Sequence, residues 1–116
     1  HVQLAIPVGA EAEARAFYVG VLGMIEIPKP PLLAARGGAW FRAGSIESHV
    51  GAEAEFVAAR KAHPGLLVDG LRSFVERVGV DVRWNDEIPG LTRCHLDDPF
   101  GNRIELIEAG RREGVA

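Results

Sequence analysis

The chain has 116 residues, 47% of them hydrophobic, with one cysteine and a formal charge of −3. That is enough apolar material for one domain with its own core, and a lone Cys94 rules out an internal disulfide scaffold. A mildly acidic chain whose basic residues are scattered, apart from Arg111 and Arg112, has no general attraction for nucleic acid or an anionic membrane. No apolar run nears membrane-spanning length, so a reducing, cytoplasmic setting is expected.

The first strand reads from His1 to Ile6, where Val2, Leu4 and Ile6 alternate with His1, Gln3 and Ala5. A helix follows over about 10–22, with Ala14, Phe17, Tyr18, Val21 and Leu22 at helical spacing and Gly23 as its stop. Strands are expected at 24–27, 38–43 and 45–51, while Pro28, Pro30 and Pro31 exclude the intervening stretch from a central strand. Residues 52–62 are polar and alanine-rich, which suits a connector or a short helical turn.

The same order then returns. A strand opens at His63, and a helix over about 70–78 displays Leu71, Phe74, Val75 and Val78, with Asp69 placed to cap it. Strands fit at 80–84, 92–96 and 103–108. Each half reads strand, helix, strand, strand, strand, with too little core to stand alone. The expectation is therefore one α+β domain over 1–116: module 1 about 1–51, connector 52–62 and module 2 about 63–110.

The segment Asp97 to Leu106 carries most of the chemistry. Pro99, Gly101 and Asn102 suit a tight reversal into a strand on which Glu105 and Ile107 share one face and Ile104, Leu106 and Glu108 the other. A carboxylate beside Ile107 on a half-buried face is costly without a positive partner; the plain alternative is an edge-strand glutamate turned to solvent. His1 and His63 each open a module. Two imidazoles and a carboxylate suit Zn²⁺, Ni²⁺, Mn²⁺ or Fe²⁺ and leave coordination positions open, although each histidine taken alone reads more readily as a surface or hydrogen-bonded structural residue.

Glu47 and His49, two apart, face one side of their strand, and Ile46, Ser48 and Val50 face the other. Arg93 and His95 share a face opposite Cys94 and Leu96; Arg93 favours an anion and His95 suits acid–base work, or both are surface residues. Trp40, Phe41 and Trp84 read as core or cavity wall, and Phe100 as packing.

The doubled pattern, together with the stretches HVQLAIP, AFYVGVLGM, HPGLLVDGL and DDPFGNRIELIE, resembles the vicinal oxygen chelate superfamily of glyoxalases, extradiol dioxygenases, fosfomycin-modifying enzymes and bleomycin-resistance proteins. The resemblance covers nearly the whole chain. It implies two βαβββ modules whose mixed sheet forms a cup around a divalent metal, with helices outside. By position it puts His1, His63 and Glu105 on the metal, and aims Arg93 and His95 at the cavity. For a fourth ligand, Ile46-Glu47 on the glyoxalase pattern favours Glu47, whereas His49-Val50-Gly51 as the strand end favours His49; His49 is taken as the ligand and Glu47, with His95 and Arg93, as catalytic.

The implied function is a metal-dependent enzyme, glyoxalase-like lyase or isomerase or else dioxygenase, acting on a small, anionic, oxygen-bearing substrate. The alternative is a metal-free, bleomycin-resistance-like protein that sequesters a small molecule. Fosfomycin chemistry is less expected, because Gln3, Asn85 and Arg93 stand near the positions that would serve it. A homodimer is expected at this length.

Overall fold

The structure, a computed structural model, describes residues 1–110; Arg111 and Arg112 lie outside the described residues. The chain divides into two compact units, one of residues 1–59 with 98–102, the other of 60–97 with 103 to the end of the described residues.

The first unit holds β1 (Val2–Pro7), α1 (Glu11–Tyr18), β2 (Ile25–Ile27), α2 (Pro31–Ala34), β3 (Ala39–Ala43) and β4 (Ile46–Glu53). Its sheet runs β1-β4-β3-β2, with β1 parallel to β4 and the other pairs antiparallel. Ala14, Phe17 and Tyr18, three to four apart, form the buried stripe of α1, and the Tyr18 ring stacks on the fully buried Phe41 at 5.2 Å. The regular helix ends earlier than its apolar pattern predicts. Gly20 and Leu22 donate five residues back, to the Arg15 and Phe17 carbonyls, so the last turn widens while Leu22 stays buried. The proline cluster carries no strand, and Pro31 instead opens α2, where its missing N–H costs nothing.

The turn Asp98–Asn102 belongs to this unit, and a buried network fastens it. The Tyr18 hydroxyl donates to Asp98 Oδ2 at 2.9 Å, Asn102 Nδ2 donates to the same oxygen and to the Ala5 carbonyl, and the Phe100 and Asn102 amides donate to Asp98 Oδ1. Burial, then the Asp98 charge, drives the Tyr18 phenol well above its ordinary pKa. Gly101, at φ +89°, supplies the left-handed residue the reversal requires. Phe100 packs edge-on against Phe56, centroids 6.5 Å apart, as a packing residue should.

The second unit holds β5 (Gly65–Val68), α3 (Leu71–Val78), β6 (Arg83–Asn85), β7 (Arg93–Asp97) and β8 (Arg103–Glu108), in a sheet ordered β5-β8-β7-β6 with β5 parallel to β8. This repeats the first sheet, so the predicted pair of βαβββ modules is what the chain forms. Residues 52 and 53 extend β4, and 54–64 form no strand or helix. Leu71, Val75, Cys94, Leu96, Ile104 and Leu106 are the buried residues of this unit's core.

Two expectations need correction here, and one alternative falls. Asp69 does not cap α3: the capping residue is Gly70, left-handed at φ +66°, and the Glu108 carboxylate accepts from the Gly70 and Leu71 amides at 3.1 and 3.0 Å. Trp84 is not core, being 42% exposed, because β6 is an edge strand with its indole under the Arg72 guanidinium. Glu105 lies on an inner strand between β5 and β7, which disposes of the solvent-facing edge reading; its side chain is 13% exposed. No described helix is long and apolar enough to cross a membrane.

Candidate metal centre

The groups that meet Glu105 come from β7 and from the segment that leads into β5. Pro64 has no amide hydrogen, but its carbonyl accepts from the Glu105 amide at 2.9 Å and so fixes the strand entry, leaving His63 just ahead of β5. His95 is the cross-strand partner of Glu105, and Arg93 sits two residues earlier on the same face.

The carboxylate meets a different group at each oxygen. His63 Nε2 lies 3.1 Å and His95 Nε2 3.8 Å from Glu105 Oε1, whereas Arg93 donates to Oε2 at 3.1 Å. Arg93 also donates to Asn85 Oδ1 at 3.0 Å, and Asn85 is held by Glu87. The Arg93 Nε is buried and has no acceptor among the described residues. For Glu105, burial pushes the pKa up, but the contacts with Arg93 and His63 outweigh it and keep the carboxyl below the usual carboxylate range. Burial, opposed by Glu105 and reinforced by His63, Arg93 and Arg103, holds the His95 ring below its ordinary value, which favours the neutral imidazole.

The tautomer of His63 follows from one contact. Its Nδ1 is 2.7 Å from the Lys61 carbonyl, which can only accept, so Nδ1 carries the hydrogen. In the neutral ring Nε2 is then a bare lone pair facing a carboxylate oxygen. Two acceptors at that distance repel unless a cation, a proton or a metal ion, lies between them.

The donor set passes the test for a divalent ion. Ligand atoms of His63, His95 and Glu105 all lie within 4.8 Å of one another; donors around a tetrahedral zinc sit about 3.4 Å apart, so a small contraction suffices. Arg93 leaves Oε1 available, and the Lys61 carbonyl orients His63 as a metal-bound histidine is usually oriented.

The candidates in the first unit form a separate arrangement. The His1 ring stacks on His49 at 4.0 Å and 12°, and His49 stacks on Trp40 at 4.2 Å and 8°. His49 is buried, and its Nε2 lies 2.9 Å from Glu47 Oε1. Thus the structure brings His63, His95, Glu105 and Arg93 together in one unit, and His1, His49 and Glu47 together in the other. Sequence reasoning missed Asn85 as the second anchor of Arg93 and Trp40 as the floor under His49. Only the strand register pairs them, Asn85 with Arg93 and Trp40 with His49.

No family model matches the chain, and no curated protein does. Among solved structures, a glyoxalase family protein from Bacillus anthracis is 47% identical over 93% of this chain and 91% of its own, with a TM-score of 0.89. A lactoylglutathione lyase from Agrobacterium tumefaciens (19% identity, 94% of this chain and 92% of that one, TM-score 0.65) is alike in fold. So is an antibiotic binding protein from a Streptomyces species (21%, 95% and 96%, TM-score 0.69). With its repeated modules and near-half identity to the Bacillus protein, the chain belongs to the glyoxalase family of the vicinal oxygen chelate superfamily.

Proposed function

We propose that the protein is a metal-dependent vicinal-oxygen-chelate enzyme in which His63, His95 and Glu105 hold a divalent ion and a small, anionic, oxygen-bearing substrate fills the open coordination positions. The observation that carries this reading is the His63 lone pair set against Glu105 Oε1 at 3.1 Å, a juxtaposition that calls for a cation. When bound, the ion would polarise adjacent substrate oxygens and stabilise developing enolate or alkoxide charge.

The chain's own groups supply the rest. Arg93 and Asn85 fix the Glu105 carboxylate, so that one oxygen stays turned to the two imidazoles. The Arg93 charge favours a substrate anion. Glu105, kept ionised, can take a proton from a carbon or oxygen held beside it once it leaves the ion, while His95, kept neutral, keeps its lone pair for the ion.

A proton on His63 Nε2 would also satisfy Glu105, as an ordinary imidazolium–carboxylate pair, and that is the state of a metal-free binding protein. Elemental analysis of tag-free protein, reconstituted separately with zinc, nickel, manganese and ferrous iron, separates the two. The expected result is about one ion per chain, most of it lost in His63→Ala. Protein that takes up no ion after reconstitution would establish the sequestration reading instead. The same measurement on His1→Ala reads whether module 1 contributes the ligand that the resemblance implies.

A further inference from the structure

A second feature of the second unit lies outside the metal ligands. A cavity of about 400 Å³ opens between β6, the loop 86–92 and the start of α3, a size within the range of small-molecule sites. Its walls divide by chemistry. Ile88, Pro89 and Leu91 give an apolar side; Trp84 and Arg72 give a flat, cationic side.

The Arg72 guanidinium lies 4.4 Å from the centre of the Trp84 ring. Placed over the ring, the guanidinium keeps N–H donors for a ligand. No carboxylate among the described residues pairs with it. Two carboxylates line the cavity: Asp86, on the loop side, and Glu108, which is already committed, accepting from the Gly70, Leu71 and Gly110 amides. Arg93 also lines the cavity, and its buried Nε lacks an acceptor among the described residues.

From these walls we infer that the cavity binds a flat apolar carboxylate of the aryl carboxylate class, the carboxylate on the Arg72 edge and the ring against Trp84 and the Ile88–Leu91 side. The site needs no metal. Its failure therefore leaves the proposed metal centre standing, and the reverse also holds.

The test uses metal-free, ¹⁵N-labelled full chain titrated with sodium benzoate and, separately, with benzamide, a neutral molecule of the same shape. The readout is the indole N–H signal of Trp84, identified by its loss in Trp84→Phe. Benzoate is expected to shift that signal saturably, with benzamide at least about tenfold weaker, because a charge-assisted bond is lost. In Arg72→Gln benzoate should fall to the benzamide level, while in His63→Ala it should bind as before. Arg72 is exposed on a helix, so its replacement leaves the core intact. Equal binding of benzoate and benzamide, no saturable shift at Trp84, an unchanged titration in Arg72→Gln, or its loss in His63→Ala would each overturn the inference.

Discussion

In module 1 the cross-strand trio on β1, β4 and β3 is Gln3, His49 and Trp40; in module 2 the same register on β5, β8 and β7 holds Gly65, Glu105 and His95. His1 precedes Gln3 by two residues, and His63 precedes Gly65 by two. The backbone frames are thus equivalent position by position, and the chemistry differs with the side chains. In module 1 the Trp40 indole offers a flat face, and both imidazoles pile onto it almost parallel. Ring faces are used up in the stack, and near-parallel planes do not aim two lone pairs at one point. In module 2 a carboxylate takes the central position, and the His63 and His95 rings stand 72° apart with their Nε2 atoms turned to Glu105. One frame therefore makes an aromatic stack or a cluster of imidazoles around a carboxylate, according to whether its inner strand carries a histidine beside tryptophan or a glutamate beside histidine.

The sharpest way to break that comparison is to delete one imidazole from each side. His63→Ala is expected to weaken divalent-ion binding by at least about 100-fold, since a direct ligand matters more than the supporting residues whose loss costs 10–100-fold. His49→Ala should leave the ion in place and lower stability by about 1–2 kcal/mol through lost stacking. Calorimetric titration with zinc and urea unfolding check the pair. Equal loss of the ion in both variants would mean that module 1 supplies a ligand and that the stack is only one of its arrangements.

Next in size is the buried network that fastens the turn of the first unit. Tyr18→Phe should cost about 2 kcal/mol in urea unfolding, because the Asp98 carboxylate is buried and loses a charge-assisted bond. Asn102 still reaches the same oxygen, so Asp98→Ala should cost more, stranding the turn amides and the Asn102 side chain together. Zinc affinity in Tyr18→Phe is expected to change less than stability does.

Much of this was legible beforehand. Alternating strands and helical stripes are written in apolar spacing, which is why β8 matches its predicted bounds of 103–108. Glu105 stood out because a carboxylate beside Ile107 needs a positive partner, and Arg93 and His63 provide one. Other features depend on register between strands far apart in sequence. Nothing local to Trp40 announces that it floors His49, or to Asn85 that it anchors Arg93. The cap of α3 escapes a local reading for the same reason: Asp69 has the right place in sequence, but the acceptor arrives from Glu108, 37 residues beyond Leu71.

Arg93→Lys probes the support of the carboxylate. A guanidinium reaches Glu105 and Asn85 with two separate nitrogens, and a lysine ammonium on a flexible stem cannot hold both in the same fixed geometry. Zinc affinity is expected to fall by about tenfold with stoichiometry unchanged. An unchanged affinity would show that Glu105 is oriented by its strand alone, and would reduce the contrast between the modules to ligand identity.

The smallest effect separates the two helix starts. In module 1 no side chain caps α1, whereas in module 2 Glu108 holds the amides that open α3. Hydrogen bonds from the Gly110 and Leu71 amides hold the Glu108 carboxyl below the usual range. A carboxyl whose folded pKa is depressed adds stability above its unfolded value, near 4.3, and that stability drains away as pH falls through the lower folded value. Wild type should therefore lose stability relative to Glu108→Gln as pH drops from about 5, and the two curves should run parallel above it. The group is exposed, so the difference is modest. Urea midpoints between pH 3 and 7 check it: a gap that does not narrow in acid would mean that Glu108 caps the helix as a neutral acceptor would, with its charge irrelevant to α3.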